Sequence, residues 1–441
     1  MHFKKNIYGM IQAARNFFEL VRDWLGDPKS TCPFNFEQFG SDQCVFMAMA
    51  GGGFIIVLLY VDDLVCLCTH PELKVMLFAA IKVAFEFEDK GELSYFLGMK
   101  VTRDLKNKTT TLDMVAYIKE KLKLFKINDK KTVTSAYPTH DHDVGEPLNE
   151  EDASLFRSML GAAIWVVNIR PDLCYAIGRL SSHMSKPHKL HLDIMYRVWR
   201  YLKCTIDDKL TYSLKGQSQE ALLGVGWLHS FDSNCVTTGY VDANLEIPKS
   251  TTGYMFKMAG ANVISKCKKQ PVVSINTYDS EYYAMSSCIL CAIWMHMWLT
   301  EADKFFFHFY GVHLVNGPIV INGDNSAVIR MVNEKAISTR ARHIQLTWHK
   351  MMEAILNKVA EAHGISGKFN PADMFTKPQD GPSTTQWRRD LLGIELVSKE
   401  QGVKIPPQLI GKQFITNYQV LIDEFMEKYE GYYGVLYGSG N

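Results

Sequence analysis

One stretch of the chain sets two adjacent acids inside an otherwise apolar run. The segment FIIVLLYVDDLVCLC spans Phe54 to Cys68 and carries Asp62 and Asp63 near its middle. An ionised carboxylate that stays unpaired in apolar surroundings costs several kcal/mol or shifts its pKa until it is neutral. The residues on both sides are mostly branched or aromatic, which favours strands. We therefore predict a tight hairpin of two strands with both carboxylates at its turn.

Two carboxylates at one turn have two interpretations. A divalent cation such as Mg²⁺ prefers hard oxygen ligands and would make the pair tolerable by lying between the two groups. The alternative is an exposed turn in which aspartate is simply a common residue. This stretch by itself leaves both interpretations open.

Length and composition indicate an ordinary globular chain. Its 441 residues allow two to four domains, and 47% hydrophobic with 22% charged residues excludes a disordered protein. The net charge of +1 points to no partner. The uncharged run from Val45 to Val61 nearly reaches membrane-spanning length, but Gly51, Gly52 and Gly53 interrupt it, so we predict a buried hairpin and no membrane partner. No secretory pattern opens the chain, which favours an intracellular protein.

Three motifs in order resemble the reverse transcriptase of copia-type LTR retrotransposons. That family shows a motif like KALYGLKQAPRAWY, then YVDD in a hairpin, then G-x-L-x-YFLG. The matching residues are Lys5, Tyr8, Gly9, Gln12, Ala13 and Arg15 for the first motif, Tyr60–Asp63 for the second, and Gly91, Leu93 and Tyr95–Gly98 for the third. The resemblance implies a polymerase palm with Asp62 and Asp63 as metal ligands and Gln12 near the incoming nucleotide. A surface glutamine on a helix is the alternative for Gln12.

The second half of the chain carries four separated acids. From about residue 234 the pattern of three strands, a helix, a strand and further helices predicts an α/β sandwich with a mixed sheet. This order resembles the ribonuclease H domain that follows the polymerase in the same retrotransposons, with motifs such as KST-x-GY-x-F, KKQP, DN and ADI-x-TKP. The resemblance implies four metal-binding carboxylates, namely Asp242, Glu281, Asp324 and Asp373.

Such a set suits the chemistry that the resemblance implies. Phosphodiester hydrolysis by two metals about 4 Å apart needs carboxylates that ligate and bridge them. The implied cofactor is Mg²⁺ or Mn²⁺, and the implied substrate is the RNA strand of an RNA–DNA hybrid. For any single acid, a helix cap or a surface position is the alternative.

Basic residues near these motifs are candidates for contacts with nucleic-acid phosphates. They are Lys268, Lys269, Arg340, Arg342 and His343. A solvated basic face is the alternative interpretation.

Several departures from the family patterns limit the expected activity. The family places a third palm carboxylate upstream of the first motif, where this sequence has only Met1, His2 and Phe3 before Lys4. We therefore expect no polymerase activity from this chain without a missing upstream portion. Asn244 and Leu245 replace an aspartate and a tryptophan of the ribonuclease H motif, so weak turnover is expected. The alternative function is an inactive relic or a co-opted nucleic-acid-binding module.

The expected architecture is multidomain, α+β followed by α/β. Residues 1–105 would form a partial reverse-transcriptase palm, residues 106–216 a helical thumb and connection, and residues 234–380 a ribonuclease H-like domain with a mixed sheet. Residues 381–441 form an extension of unknown role. The family implies a location in cytoplasmic virus-like particles or in the nucleus.

Overall fold

The structure is a computed structural model, and its residues group into two compact units. It describes residues 12–127, 131–139, 145–213, 237–310, 313–315, 317–334, 345–394 and 433–438. The first unit comprises Met1–Leu97, Trp294–Val315 and Gly411–Asn441, and the second comprises Gly98–Ile293 and Asn316–Ile410.

The first unit is built around an antiparallel sheet with helices beside it. Its elements are α1 (Ala13–Gly26), β1 (Glu37–Gln38), β2 (Val45–Ala50), β3 (Gly53–Tyr60), β4 (Asp63–Cys68), α2 (Pro71–Ala84), β5 (Phe87–Asp89), β6 (Tyr95–Phe96) and β15 (Tyr433–Gly438). The strand order is β1-β2-β3-β4-β15-β5. Strands β4 and β5 follow each other in the chain through α2, yet β15 lies between them and pairs antiparallel with both. The C-terminal strand therefore occupies the edge of the hairpin strand β4.

Helix α2 shows why this part of the chain folds against the sheet. Pro71 stands at the first helical position, where its missing N–H group is not needed. Its buried residues Leu73, Leu77, Phe78 and Ile81 recur at helical spacing and pack with the strands in one apolar cluster.

The described residues of the second unit form strands of two sheets and several helices. Its elements before the mixed sheet are β7 (Met99–Asp104), β8 (Thr109–Asp113), α3 (Val115–Leu124), α4 (Glu150–Val166), a 3₁₀ helix (Pro171–Leu173), α5 (Cys174–Ser181), α6 (Lys189–Cys204) and β9 (Leu210–Ser213). Strand β8 pairs antiparallel with both β7 and β9. Buried side chains such as Phe156, Leu160, Met195 and Trp199 join the helices in one core.

The mixed sheet lies in the later part of the second unit. Its elements are β10 (Thr237–Asn244), β11 (Thr251–Met258), β12 (Ala261–Lys269), α7 (Thr277–Tyr310), β13 (Ile319–Gly323), α8 (Ser326–Glu334), α9 (Gln345–Leu356), β14 (Ala360–Gly364), 3₁₀ helices at Gly367–Phe369 and Pro371–Phe375, and α10 (Gly381–Leu391). The order is β12-β11-β10-β13-β14. The first three strands are antiparallel, whereas β13 runs parallel to both β10 and β14. The prediction of a mixed α/β architecture is confirmed.

Helix α7 is long and apolar enough over Thr277–Phe309 to cross a membrane, by length and composition only. Its Tyr282 and Cys288 are buried in the second unit, and Ala302 and Phe305 pack in an apolar cluster of the first unit. Core helices of soluble proteins have the same length and composition, so this helix is weak evidence for a membrane protein.

Candidate metal centre

Two of the candidate acids stand at the same edge of the mixed sheet because of strand register. In the parallel pair of β10 and β13, Tyr240 lies opposite Asn322. Asp242 and Asp324 each follow two residues later, so both carboxylates reach the carboxyl ends of neighbouring strands. Parallel strands bring such residues together, although they are far apart in sequence.

Asp373 is brought to this edge by a short 3₁₀ helix. Asn370 caps this helix by accepting a hydrogen bond from Ala372 N at 3.1 Å. Its side-chain amide also donates to Val241 O at 2.8 Å, next to Asp242 in β10. Asn370 is fully buried and ties the helix to the strand. The sequence reasoning missed this residue, although an asparagine before Pro-Ala-Asp is a recognisable capping signal.

The three aspartates form one group of ligands. One carboxylate oxygen each from Asp242, Asp324 and Asp373 lies within 4.8 Å of the others. Among the described residues, Glu281 lies outside this group. Glu281 is nevertheless close enough on α7 for its charge to interact with those of the aspartates. The structure thus brings three of the four candidate acids together and sets the fourth beside them.

Burial and mutual repulsion destabilise the ionised form of these carboxylates and raise their pKa values. Burial, followed by the charge of Asp373, raises the pKa of Asp242 to about 7. Burial and then the charges of Asp242 and Asp324 raise the pKa of Glu281 to about 9. The pKa of Asp324 is also raised, by burial and then by Asp373. A cation at this centre would oppose all of these shifts.

The two carboxylate oxygens of Asp242 differ in their hydrogen-bond partners. Thr376 Oγ1 donates to Oδ2, and Lys377 Nζ lies 3.4 Å from the same atom. In contrast, Oδ1 is buried and receives no hydrogen bond from any described residue. A buried carboxylate oxygen without a donor is costly in the folded state. A group of carboxylate oxygens, one of which is buried and has no hydrogen-bond donor among the described residues, is suited to bind a divalent cation, which prefers hard oxygen ligands.

Glu246 forms hydrogen bonds and ion pairs with several basic and polar side chains at this edge of the sheet. Lys269 donates to Glu246 Oε2 and to Lys249 O, the latter at 3.1 Å. Arg179 Nη1 also lies 2.6 Å from Glu246 Oε2. Asn244, at a position where an acid was expected, donates to Glu246 Oε1 at 3.0 Å. Lys269 therefore has an acidic partner within the protein.

Of the other basic candidates, one lies among the described residues and three lie outside them. Lys268 is exposed at the end of β12. Arg340, Arg342 and His343 lie outside the described residues, so their role stays a prediction.

The predicted hairpin with two acids is present in the first unit. Strands β3 and β4 pair antiparallel, with Tyr60 opposite Asp63 and only Val61 and Asp62 in the turn. Val61 has a φ of 53°, a left-handed conformation that a β-branched residue rarely adopts. Such strain is concentrated at functional turns. The predicted hairpin is confirmed, although only Asp62 lies in its turn and Asp63 is the first residue of β4.

The acids of this turn are only partly buried. Burial, and then the charge of Asp62, raise the pKa of Asp63. Among the described residues, no third acid joins Asp62 and Asp63 in a group that could hold a metal ion. Gln12 precedes α1, and its side chain is exposed. Lys5, Tyr8 and Gly9 of the same motif lie outside the described residues.

Comparison with known proteins identifies the class. The family model described as reverse transcriptase (RNA-dependent DNA polymerase) matches residues 1–139. The chain is 26% identical over 386 residues to the Retrovirus-related Pol polyprotein from transposon TNT 1-94 of Nicotiana tabacum, which covers 85% of this chain and 26% of that protein. It is 25% identical over 380 residues to the corresponding polyprotein from transposon RE1 of Arabidopsis thaliana, covering 85% and 24%.

A hairpin that presents YVDD, together with the family match, defines a reverse transcriptase-like protein. The chain belongs to the copia-type retrotransposon Pol polyproteins. It spans about a quarter of the length of the curated relatives that it matches.

Proposed function

We propose that residues 237–394 hydrolyse the RNA strand of RNA–DNA hybrids, with Asp242, Glu281, Asp324 and Asp373 as the metal-binding site. One observation carries this proposal. Carboxylates from β10, from the end of β13 and from a 3₁₀ helix converge until their oxygens lie within 4.8 Å of one another. Hydrolysis of a phosphodiester by two metals requires carboxylates that bind and bridge both metals at one site.

The strand topology supports a ribonuclease H-like layout for this region. Three antiparallel strands are followed by a long helix and by two parallel strands in the order β12-β11-β10-β13-β14. Asp242 lies on the central strand of this sheet, and Glu281 lies on the helix after β12. The residue pattern predicted three strands, a helix, a strand and further helices, an order that resembles the retrotransposon ribonuclease H domains, whereas β14 was not predicted.

The residues of the centre would have distinct roles. When bound, two divalent cations, which we propose to be Mg²⁺ or Mn²⁺, supply an activated water and stabilise the leaving oxygen. Asp242 would bind a cation through Oδ1, because Thr376 already donates to Oδ2. Asp324 and Asp373 would hold cations from the neighbouring strand end and from the 3₁₀ helix, and Glu281 would add a ligand from α7.

A nucleic-acid substrate agrees with the surroundings of the centre. Reverse transcriptase-like proteins act on nucleic acid, and Lys268 leaves an exposed positive charge on β12 for a phosphate. Lys269 would contact a phosphate only by leaving Glu246. The sequence motifs add three further proposed contacts with phosphates, namely Arg340, Arg342 and His343.

The competing proposal is a folded module that binds nucleic acid without cleaving it. One observation favours it, namely that Asn244 replaces an acid and uses its amide to hold Glu246. An amide is a weaker ligand for a hard cation than a carboxylate is. A low rate of cleavage would follow even if the three aspartates bind metal.

The test is cleavage of an RNA–DNA hybrid labelled on the RNA strand, with Mg²⁺ or Mn²⁺, by the full chain. We expect RNA cleavage with the DNA strand intact, and a loss of about a hundredfold or more in Asp324→Asn, since one ligand fewer leaves the cations poorly held. Glu353→Gln is the matched control, because this glutamate on α9 is exposed and pairs with Lys350 at the surface. Equal activity of wild type and Asp324→Asn, or no cleavage by either, would favour the binding module.

A further inference from the structure

Lys377 is held against the candidate metal centre by its own backbone. Its N–H group donates to Asp373 O at 3.1 Å, which closes a turn directly after the 3₁₀ helix. Gln379 Nε2 donates to the same carbonyl at 3.3 Å. The side chain of Lys377 therefore begins one turn away from Asp373 and has a fixed starting direction.

The Lys377 ammonium contacts two of the three clustered carboxylates. Nζ donates to Asp373 Oδ1 at 2.9 Å and lies 3.4 Å from Asp242 Oδ2. Although burial opposes the charge, the carboxylates of Asp242 and Asp373 raise the pKa of Lys377 above its ordinary value. One ammonium group thus partly neutralises a cluster of three acids.

A divalent cation at this centre would need the same carboxylates. It would also carry two positive charges to within a few ångströms of the Lys377 ammonium, and like charges at that distance repel strongly in a partly buried site. The side chain of Lys377 is 40% exposed, and the residue lies after the 3₁₀ helix Pro371–Phe375, so its ammonium can turn toward solvent while the helix stays in place.

We propose that Lys377 competes with divalent cations for the carboxylates of Asp242 and Asp373 and thereby lowers the metal affinity of the centre. This inference rests on the proposed function, because it assumes that the three aspartates bind metal. Lys377 is a positioning residue in this role. It keeps the acids together when no cation neutralises them and moves aside when one does.

The test is a direct titration of the full chain with Mn²⁺ alone, with free Mn²⁺ measured by electron paramagnetic resonance. Lys377→Met keeps the length of the side chain and removes its charge, so we expect it to bind Mn²⁺ about tenfold more tightly than wild type, as a coupling between two cations at one site implies. Lys377→Arg keeps the charge and should stay near the wild-type affinity. Lys368→Met is the matched control, since it removes one exposed lysine from the neighbouring 3₁₀ helix.

A second readout follows thermal stability. In EDTA, Lys377→Met should melt at a lower temperature than wild type, and saturating Mn²⁺ should remove the difference because the cation replaces the ammonium. Equal Mn²⁺ affinities in wild type and Lys377→Met would overturn the competition while leaving the metal centre standing. A variant that stays unfolded at every Mn²⁺ concentration would overturn it as well. Absence of Mn²⁺ binding in all of these proteins would refute the metal centre itself, and the competition with it.

Discussion

Arg170 and Asp172 form a bidentate ion pair in the interior of the second unit. Arg170 Nε and Nη2 donate to the two carboxylate oxygens of Asp172 at 2.9 and 2.7 Å, and the two side chains are 1% and 0% exposed. Tyr201 donates its hydroxyl to Asp172 Oδ2 at 2.8 Å, and Arg170 Nη1 donates to Thr205 O at 3.0 Å. The pair therefore joins the 3₁₀ helix Pro171–Leu173 to the end of α6.

Removing one partner of this pair should destabilise the second unit. Asp172→Asn would leave the Arg170 guanidinium buried without its counter-charge, and such losses cost about 3 kcal/mol or more. The free energy of unfolding by urea, measured in the full chain, gives the comparison. Glu19→Gln breaks the exposed pair with Arg15 on α1 and should cost less than about 1 kcal/mol. Similar small losses in both variants would contradict a stabilising role for the buried pair.

The stability of the chain in EDTA should fall as the pH rises. The pKa of Asp242 is raised to about 7 and that of Glu281 to about 9, from 3.8 and 4.5. Between the ordinary and the raised values, the folded chain keeps protons that the unfolded chain has released, so the free energy of unfolding decreases with rising pH. Denaturation with urea at intervals from about pH 5 to pH 9 measures this slope.

The double variant Asp242→Asn, Glu281→Gln provides the control for this slope. It removes both titrating groups, so its free energy of unfolding should change less with pH over the same range. Saturating Mn²⁺ should also flatten the wild-type curve, because a bound cation favours the charged carboxylates. A wild-type slope in EDTA that equals the slope of the double variant would show that these two acids do not cause it.

Asn370 should position Asp373 without binding metal itself. Asn370→Ala removes the hydrogen bond to Val241 O and the cap on Ala372 N, and leaving these buried groups unpaired costs about 1–3 kcal/mol. Mn²⁺ affinity should fall together with stability, because Asp373 loses its attachment to β10. Asn168→Ala removes only an exposed bond to Trp165 O and should change neither quantity. Unchanged Mn²⁺ affinity in Asn370→Ala would mean that Asp373 is held by other contacts.

The 441-residue chain should not extend a primer on an RNA template with Mg²⁺. Among the described residues, no third acid joins Asp62 and Asp63, and transfer of a nucleotide depends on exact positioning of the reacting groups. Incorporation of labelled nucleotides into a primer is the measurement. Template-dependent synthesis that Asp62→Asn abolishes would refute this expectation.

Loss of the C-terminal strand should make the first unit prone to self-association. Strand β15 pairs with β4 from Tyr433 opposite Leu67 to Tyr437 opposite Asp63. A chain shortened to residue 410 would expose the backbone groups of β4, and an unpaired edge recruits other strands. Val435→Pro, which removes one backbone N–H opposite Val65, should act in the same direction. Light scattering after size exclusion gives the mass, and a shortened chain that remains monomeric would contradict the role of β15.

The sequence by itself determined the local elements and the candidate acids. The branched and aromatic run before Asp62 predicted a strand, and the structure has β3 at Gly53–Tyr60, followed by Asp62 in the turn and Asp63 as the first residue of β4. Residues that are close in sequence favour such strands and turns, so the sequence pattern predicts them. The motifs likewise indicate four acids as candidate ligands, namely Asp242, Glu281, Asp324 and Asp373.

Only the tertiary structure decided which acids meet and what surrounds them. Thr376 reaches Asp242 across 134 positions of the chain, and Glu281 stays outside the group of three aspartates. The position of β15 between β4 and β5 is a relationship of the same kind. Such contacts depend on the register of strands and on the path of the chain between them. Register is set by burial of one whole face of a sheet, which no short stretch of sequence specifies.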